Sequence, residues 1–277
     1  MKAAPFSYRR AATLDEALAA GGESSRFLAG GQSLVPMMNL RLTLADTMID
    51  ISGLAELRRS AGEGDRVFIG AGVTHAMIED GRIEDPSRGY LRHVAGGIAF
   101  RSVRNRGTLG GSLAHADPAA DWPTALLALG AEAVIRSAGG ERRLPLARFQ
   151  LGLMETALRP DEILVGVTVP ALSDLARWSY QKFCRKSGEF AHSIAAVVRD
   201  PVRELAEVVL GAAGDKPCRL GRVSALLAEG GRVDPQQLGQ VVDEDVRDTT
   251  GLAASSYEFH LHRTMVVRAC ARLQEQT

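Results

Sequence analysis

Two short stretches of this sequence carry residues suited to holding an anion with backbone rather than side chains. Ala29-Gly30-Gly31-Gln32-Ser33 and Thr108-Leu109-Gly110-Gly111-Ser112 each place a Gly-Gly pair close to a hydroxyl, ahead of an apolar segment. Glycine lacks Cβ, so its backbone can take positive φ and come right up against a ligand. A turn of successive N–H groups forms a concave nest for negative charge, and Ser33, Thr108 or Ser112 can add a donor. Two such nests suit a pyrophosphate held between two lobes. Either one alone is also what a tight turn requires.

The remaining chemistry-bearing side chains each admit a plainer reading. Asp121 can cap a helix or accept hydrogen bonds from ribose or adenine groups. His75 and His115 sit beside helix caps and either can touch a ligand. The run Arg101, Arg104, Arg106 can hold a phosphate, and equally can be a solvated loop or a subunit contact. By spacing alone Lys182 is an edge lysine on a strand, and Phe190 is a core residue. His260 and His262, two residues apart on the last helix, point to different faces and read as solvated or structural. The strand Val67–Val73 ends in Gly70-Ala71-Gly72, which invites a dinucleotide fingerprint, but His75 stands where the third glycine or alanine is needed. No P-loop, zinc-protease or nucleophile-elbow motif is present.

The elements that must position these residues follow from capping and periodicity. Thr13-Leu14-Asp15-Glu16 is a capping box opening a helix that Gly21-Gly22 ends. Arg26–Ala29 is a short strand leading into the first glycine pair, Leu34 to Leu42 a helix with Pro36 in its first turn, and Thr47–Ile51 a second strand. Thr74 caps a helix from His75 to Glu79, further helix follows around Tyr90–Ala99, and another continues through Thr124 to Leu129. Glu132–Ser137 and Ile163–Val169 are strands. After Pro170 the texture changes: Trp178–Phe183, Ser193–Val198 and Leu205–Leu210 read as an antiparallel sheet. Helices about Val223–Glu229, Gln236–Val242 and Ala253–Leu273 close the chain. The expected division is 1–174, in lobes of about 1–52 and 53–174, and 175–277.

Lys+Arg and Asp+Glu each total 33 in 277 residues, so the formal charge is zero, which argues against a nucleic-acid binder. The hydrophobic share of 45% and charged share of 24% are those of an ordinary globular chain. Cys184, Cys218 and Cys270 lie far apart and form no ligand cluster, so no zinc or iron–sulfur centre is expected on this chain. Their sparse, odd count, with no signal peptide and no membrane-length apolar run, points to a cytoplasmic protein without membrane insertion.

Taken in order, the motifs resemble those of the FAD-binding (medium) subunit of molybdenum hydroxylases, the family of aerobic carbon monoxide dehydrogenase and xanthine dehydrogenase. The matching text is Ala29-Gly30-Gly31-Gln32-Ser33-Leu34-Val35-Pro36, Arg104-Asn105-Arg106-Gly107-Thr108-Leu109-Gly110-Gly111-Ser112, and Asp117-Pro118-Ala119-Ala120-Asp121. Asp161–Leu164, Tyr180–Phe183, Gly188–Ala191 and Ala254–Arg272 continue it. The resemblance implies an α+β fold: a two-lobed FAD-binding domain of the PCMH type, then a C-terminal domain of antiparallel sheet plus helices. It implies FAD pyrophosphate contacts at Ala29, Gly30, Gly31, Gln32, Ser33 and Leu34 and at Thr108, Gly110, Gly111 and Ser112. It implies an adenosine-side role for Asp121, flavin contacts at Ile98, Leu164 and Lys182, and an aromatic at Phe190 beside the isoalloxazine. Gln32 replaces a frequent His, and Ser112 a frequent Asn or Asp. The implied partners are a large subunit with a molybdenum cofactor and a small subunit with two [2Fe–2S] clusters, in a dimer of heterotrimers. Electrons would arrive from the clusters and leave to an external acceptor, with no general acid or base needed on this chain. The competing readings are a self-sufficient FAD-dependent oxidase or reductase and a flavin-free scaffold subunit.

Overall fold

The computed structural model describes residues 2–276. The first lobe runs β1 (Ser7–Arg10), α1 (Leu14–Ala20), β2 (Ser25–Leu28), α2 (Leu34–Asn39) and β3 (Thr47–Asp50), with β3 between β1 and β2 in a parallel three-stranded sheet. The capping box forms: Thr13 Oγ1 accepts from the Glu16 N–H, and the Glu16 carboxylate reaches back to the Ala12 N–H. β2 delivers the chain directly into the first glycine stretch. α2 ends at Asn39, three residues short of the expected Leu42, and Arg41 follows with φ of 59°.

The second lobe comprises β4 (Ser60–Glu63), β5 (Arg66–Gly70), α3 (His75–Glu79), α4 (Tyr90–Gly96), α5 (Arg101–Arg104), α6 (Leu109–His115), α7 (Asp121–Ala128), β6 (Glu132–Ser137), β7 (Gly140–Pro145), β8 (Gln150–Gly152), β9 (Glu155–Thr156) and β10 (Ile163–Pro170). Its sheet is antiparallel in the order β4-β5-β10-β6-β7, with a register shift between Leu164 and Gly166. Thr74 caps α3 as expected, its Oγ1 accepting from the Met77 N–H. The basic run is a helical turn, α5, rather than loop.

The last unit pairs β11 (Arg177–Phe183), β12 (Ser193–Asp200), β13 (Leu205–Gly211) and β14 (Cys218–Arg219) antiparallel in that order. It then packs α8 (Gly221–Ala228) and α10 (Tyr257–Gln274) on the sheet, with α9 (Pro235–Thr250) against those two helices. α9 runs well past the expected Val242. α10 starts later than the expected Ala253, because Ser256 supplies the cap that receives the Phe259 N–H. His262 is buried, with Nδ1 2.8 Å from Ser193 Oγ, which settles it as structural.

Three apolar cores among the described residues hold these pieces. One joins α1 and β3 to the second sheet through Leu14, Ile49, Phe68, Val134 and Val165. Another lies inside the C-terminal unit, around Val208, Val242 and Val266. The third runs across the expected boundary at 174. It packs Tyr90, Leu91, Trp122 and Leu126 of the second lobe against Tyr180, Ile194 and Val198 of the C-terminal sheet.

Candidate functional site

The two glycine stretches, 75 and more residues apart in sequence, stack on one another. A Cβ at Gly30 would overlap the Arg106 carbonyl and lie 2.8 Å from the Gly107 Cα, so only glycine lets the loops close. Gly31 takes φ of +70°, the left-handed turn that a side chain resists. Gln32 Nε2 donates to the Gly30 carbonyl at 3.1 Å and braces that turn. The N–H groups of Gly31, Gln32 and Ser33 make no hydrogen bond among the described residues, which leaves three adjacent donors at the start of α2.

The second stretch is built differently from the expectation. It is the first turn of α6, pinned to the end of β5: the Leu109 N–H donates to Val73 O and the Gly110 N–H to Ala71 O, at 3.0 and 2.9 Å. Thr108 Oγ1 caps the helix by accepting the Gly111 N–H at 3.0 Å. Gly110 is needed because any Cβ there would overlap Ala71. Close packing of helix on strand, rather than free donors, explains this glycine. What α6 presents outward is Gly111 and the hydroxyl of Ser112.

Both stretches line one cleft of about 1320 Å³, larger than the roughly 300–1,000 Å³ of drug-sized pockets. Ala29, Gly30, Gly31, Gln32, Ser33, Leu34, Ile98, Thr108, Gly110, Gly111, Ser112, Asp121, Leu164, Lys182 and Phe190 all contribute to its wall. Asp121 does not cap α7, because Ala120 occupies that position. Its carboxylate instead accepts from Tyr180 Oη at 2.7 Å and from Lys182 Nζ at 2.9 Å. Burial pushes its carboxyl above the usual range, opposed first by the Lys182 charge. Lys182 is therefore no solvated edge lysine: its ammonium also donates to the Gly97 carbonyl at 3.2 Å, next to Ile98. Asp121 and Lys182, given opposite ends of the ligand by the resemblance, meet at one place. Phe190 is 60% exposed at the rim, not in the core.

The arginines divide by role. Arg104 grips the Glu79 carboxylate through Nε and Nη2 at 2.8 and 3.0 Å, and its Nη1 donates to the Ile98 and Ala99 carbonyls. Arg101 pairs with Glu79 and Asp80. Both guanidinium groups are taken up by these carboxylates and neither lines the cleft, so the phosphate-holding reading of this run falls to Arg106, which lines the cleft beside Gly30. The Arg104 contact, followed by that of Arg101, holds the Glu79 carboxyl below its ordinary value. His115 lines the cleft half-buried. His75 is buried on the cleft floor, where its Nδ1 accepts from Trp122 Nε1 at 3.0 Å. Sequence reading missed this pair and also Met154, Arg159 and Pro160 on the cleft wall. Nothing in local periodicity marks them, since each reaches the cleft through tertiary pairing.

The fold and its cleft have counterparts among known proteins. A family model described as "FAD binding domain in molybdopterin dehydrogenase" matches residues 4–172. Caffeine dehydrogenase subunit beta of Pseudomonas sp. (strain CBB1) is 34% identical over 226 residues, 79% of this chain and 77% of the relative. The carbon monoxide dehydrogenase medium chain of Hydrogenophaga pseudoflava is 37% identical over 196 residues, 70% of this chain and 68% of the relative. Among solved structures, the Hydrogenophaga pseudoflava carbon monoxide dehydrogenase lacking the Mo-pyranopterin moiety superposes with a TM-score of 0.89 at 30% identity. That match covers 100% of this chain and 99% of the other. Quinoline 2-oxidoreductase from Pseudomonas putida 86 gives 0.87 at 30% identity with the same coverage. With the α+β fold and the cleft in place, these matches show that the chain belongs to the family of FAD-binding subunits of multi-subunit molybdenum oxidoreductases.

Proposed function

We propose that this chain lays one FAD along the cleft and serves as the electron outlet of a molybdenum-dependent hydroxylase or dehydrogenase. It would take electrons from two [2Fe–2S] clusters of a small partner subunit and pass them to an external acceptor, while a large partner subunit carries the molybdenum cofactor. The observation that carries this reading is the stacking of the two glycine stretches, with the N–H groups of Gly31, Gln32 and Ser33 left to meet a pyrophosphate. Arg106 and the Ser33 and Ser112 hydroxyls would add charge and donors at the same place. The Asp121–Lys182 pair, with Ile98, Leu164 and Phe190, would face the isoalloxazine end: the lysine offers a cation and Phe190 an exposed ring at the rim. Bound there, FAD supplies chemistry that accepts electrons singly and releases them in pairs. Residues 1–174 would form the cofactor-binding unit, with 175–277 contributing Lys182 and Phe190 from one side. The assembly would be a dimer of heterotrimers in the cytoplasm, consistent with no helix among the described residues being long and apolar enough to cross a membrane.

The test is purification of the chain from its native host with whatever accompanies it, followed by flavin and metal analysis. FAD together with molybdenum, iron and two partner chains is the expected outcome. FAD without metals or partners would replace this reading with a self-sufficient flavoenzyme.

A further inference from the structure

We propose that His75 is a binding residue for the dinucleotide, donating its Nε2–H where the two glycine stretches meet. This rests on FAD occupying the cleft. The first observation is the fixed tautomer. Trp122 Nε1 is a donor only, so the ring nitrogen that receives it at 3.0 Å, Nδ1, carries no proton. The second is charge state: burial, and then the Arg104 charge, push the imidazole down to about 4, so the ring is neutral. Its single proton is on Nε2.

The third observation is where Nε2 lies. A Cβ on Gly107 would stand 2.8 Å from it, and Gly107 is in turn the residue on which Gly30 stacks. The His75 main chain is tied to the same point, its N–H donating to Gly107 O at 3.0 Å. His75 is buried yet contributes to the cleft wall, and Nε2 has no partner among the described residues. A pre-oriented N–H that opens on the cleft with no protein partner is free to donate to a ligand there. It matches a phosphate or ribityl oxygen lying between the stretches. Trp122, on α7, acts through His75 as its positioning residue.

Two variants separate binding from packing. His75→Asn keeps an acceptor near the Nδ1 position for Trp122 but withdraws the distal donor. His75→Gln keeps a donor near the Nε2 position but gives up the Trp122 contact. The measurements are FAD affinity of the flavin-stripped full chain, by quenching of flavin fluorescence, and the thermal midpoint of the same apo chain. The expected result is about a tenfold weaker Kd for His75→Asn with an apo midpoint near wild type, the loss corresponding to one hydrogen bond of about 1.4 kcal/mol. For His75→Gln, a Kd close to wild type with a lowered midpoint is expected. Wild-type affinity in His75→Asn overturns the assignment, as does a loss of affinity in both variants that follows their loss of stability. Failure of the wild-type apo chain to take up FAD would instead remove the cofactor reading on which this inference stands.

Discussion

Asp121 and Lys182 show how single residues are set to work by burial. Their side chains are 5% and 12% exposed, and the Lys182 charge opposes the rise that burial imposes on the Asp121 carboxyl. Removing one partner of such a pair leaves an uncompensated charge in a poorly solvated site. Lys182→Met is therefore expected to cost about 3 kcal/mol of apo-protein stability, and adding Asp121→Asn should restore part of it. The pH dependence has a definite sign. Burial already raises the Asp121 carboxyl, and losing the lysine raises it further, so the folded variant holds a proton that the unfolded chain gives up. Stability of Lys182→Met should then fall as pH rises from 5 to 8. Urea unfolding at both pH values checks this; a deficit independent of pH and strictly additive with Asp121→Asn would contradict it.

At the scale of elements, the two glycine stretches look alike in sequence and do different jobs. The first is an open turn whose N–H groups at Gly31, Gln32 and Ser33 make no hydrogen bond among the described residues. The second is a helix start locked onto Ala71 and Val73. Gly110→Ala is expected to destabilise the fold by about 1–3 kcal/mol, because a methyl there overlaps Ala71 across α6 and β5. Thermal unfolding of the apo chain measures it, and an unchanged midpoint would refute the packing role. The glycines, the capping residues Thr13 and Thr74 and the long apolar strands were legible because each is a local signal. The basic run Arg101–Arg106 was not, since its helical turn depends on Glu79 and Asp80 arriving from α3. Edge strands β4 and β7 lack the apolar alternation that marks a half-buried strand, being drawn in by their partners β5 and β6. His75 read as a helix-end polar residue because Trp122, its partner, lies 47 positions away.

Across the whole molecule, the cleft depends on the three units being held together. The parallel lobe supplies the free N–H groups and the antiparallel lobe the helix that faces them. The C-terminal sheet supplies Lys182 and Phe190, and a continuous apolar core binds that sheet to the second lobe. Motif order along the chain foretold which residues would line the cleft. It did not foretell that Asp121 and Lys182 would pair, because that contact exists only once the C-terminal sheet packs on α7 and brings β11 side chains to it. The most direct test of FAD binding in this cleft is the flavin content of the purified full chain beside its Ser33→Asp variant. Ser33 precedes α2 without a side-chain capping bond, so an acidic residue there suits the helix terminus while repelling a pyrophosphate. The account predicts one FAD per wild-type chain, and a variant of equal or higher apo midpoint that retains almost none. Equal flavin in both chains, or none in either, would contradict it.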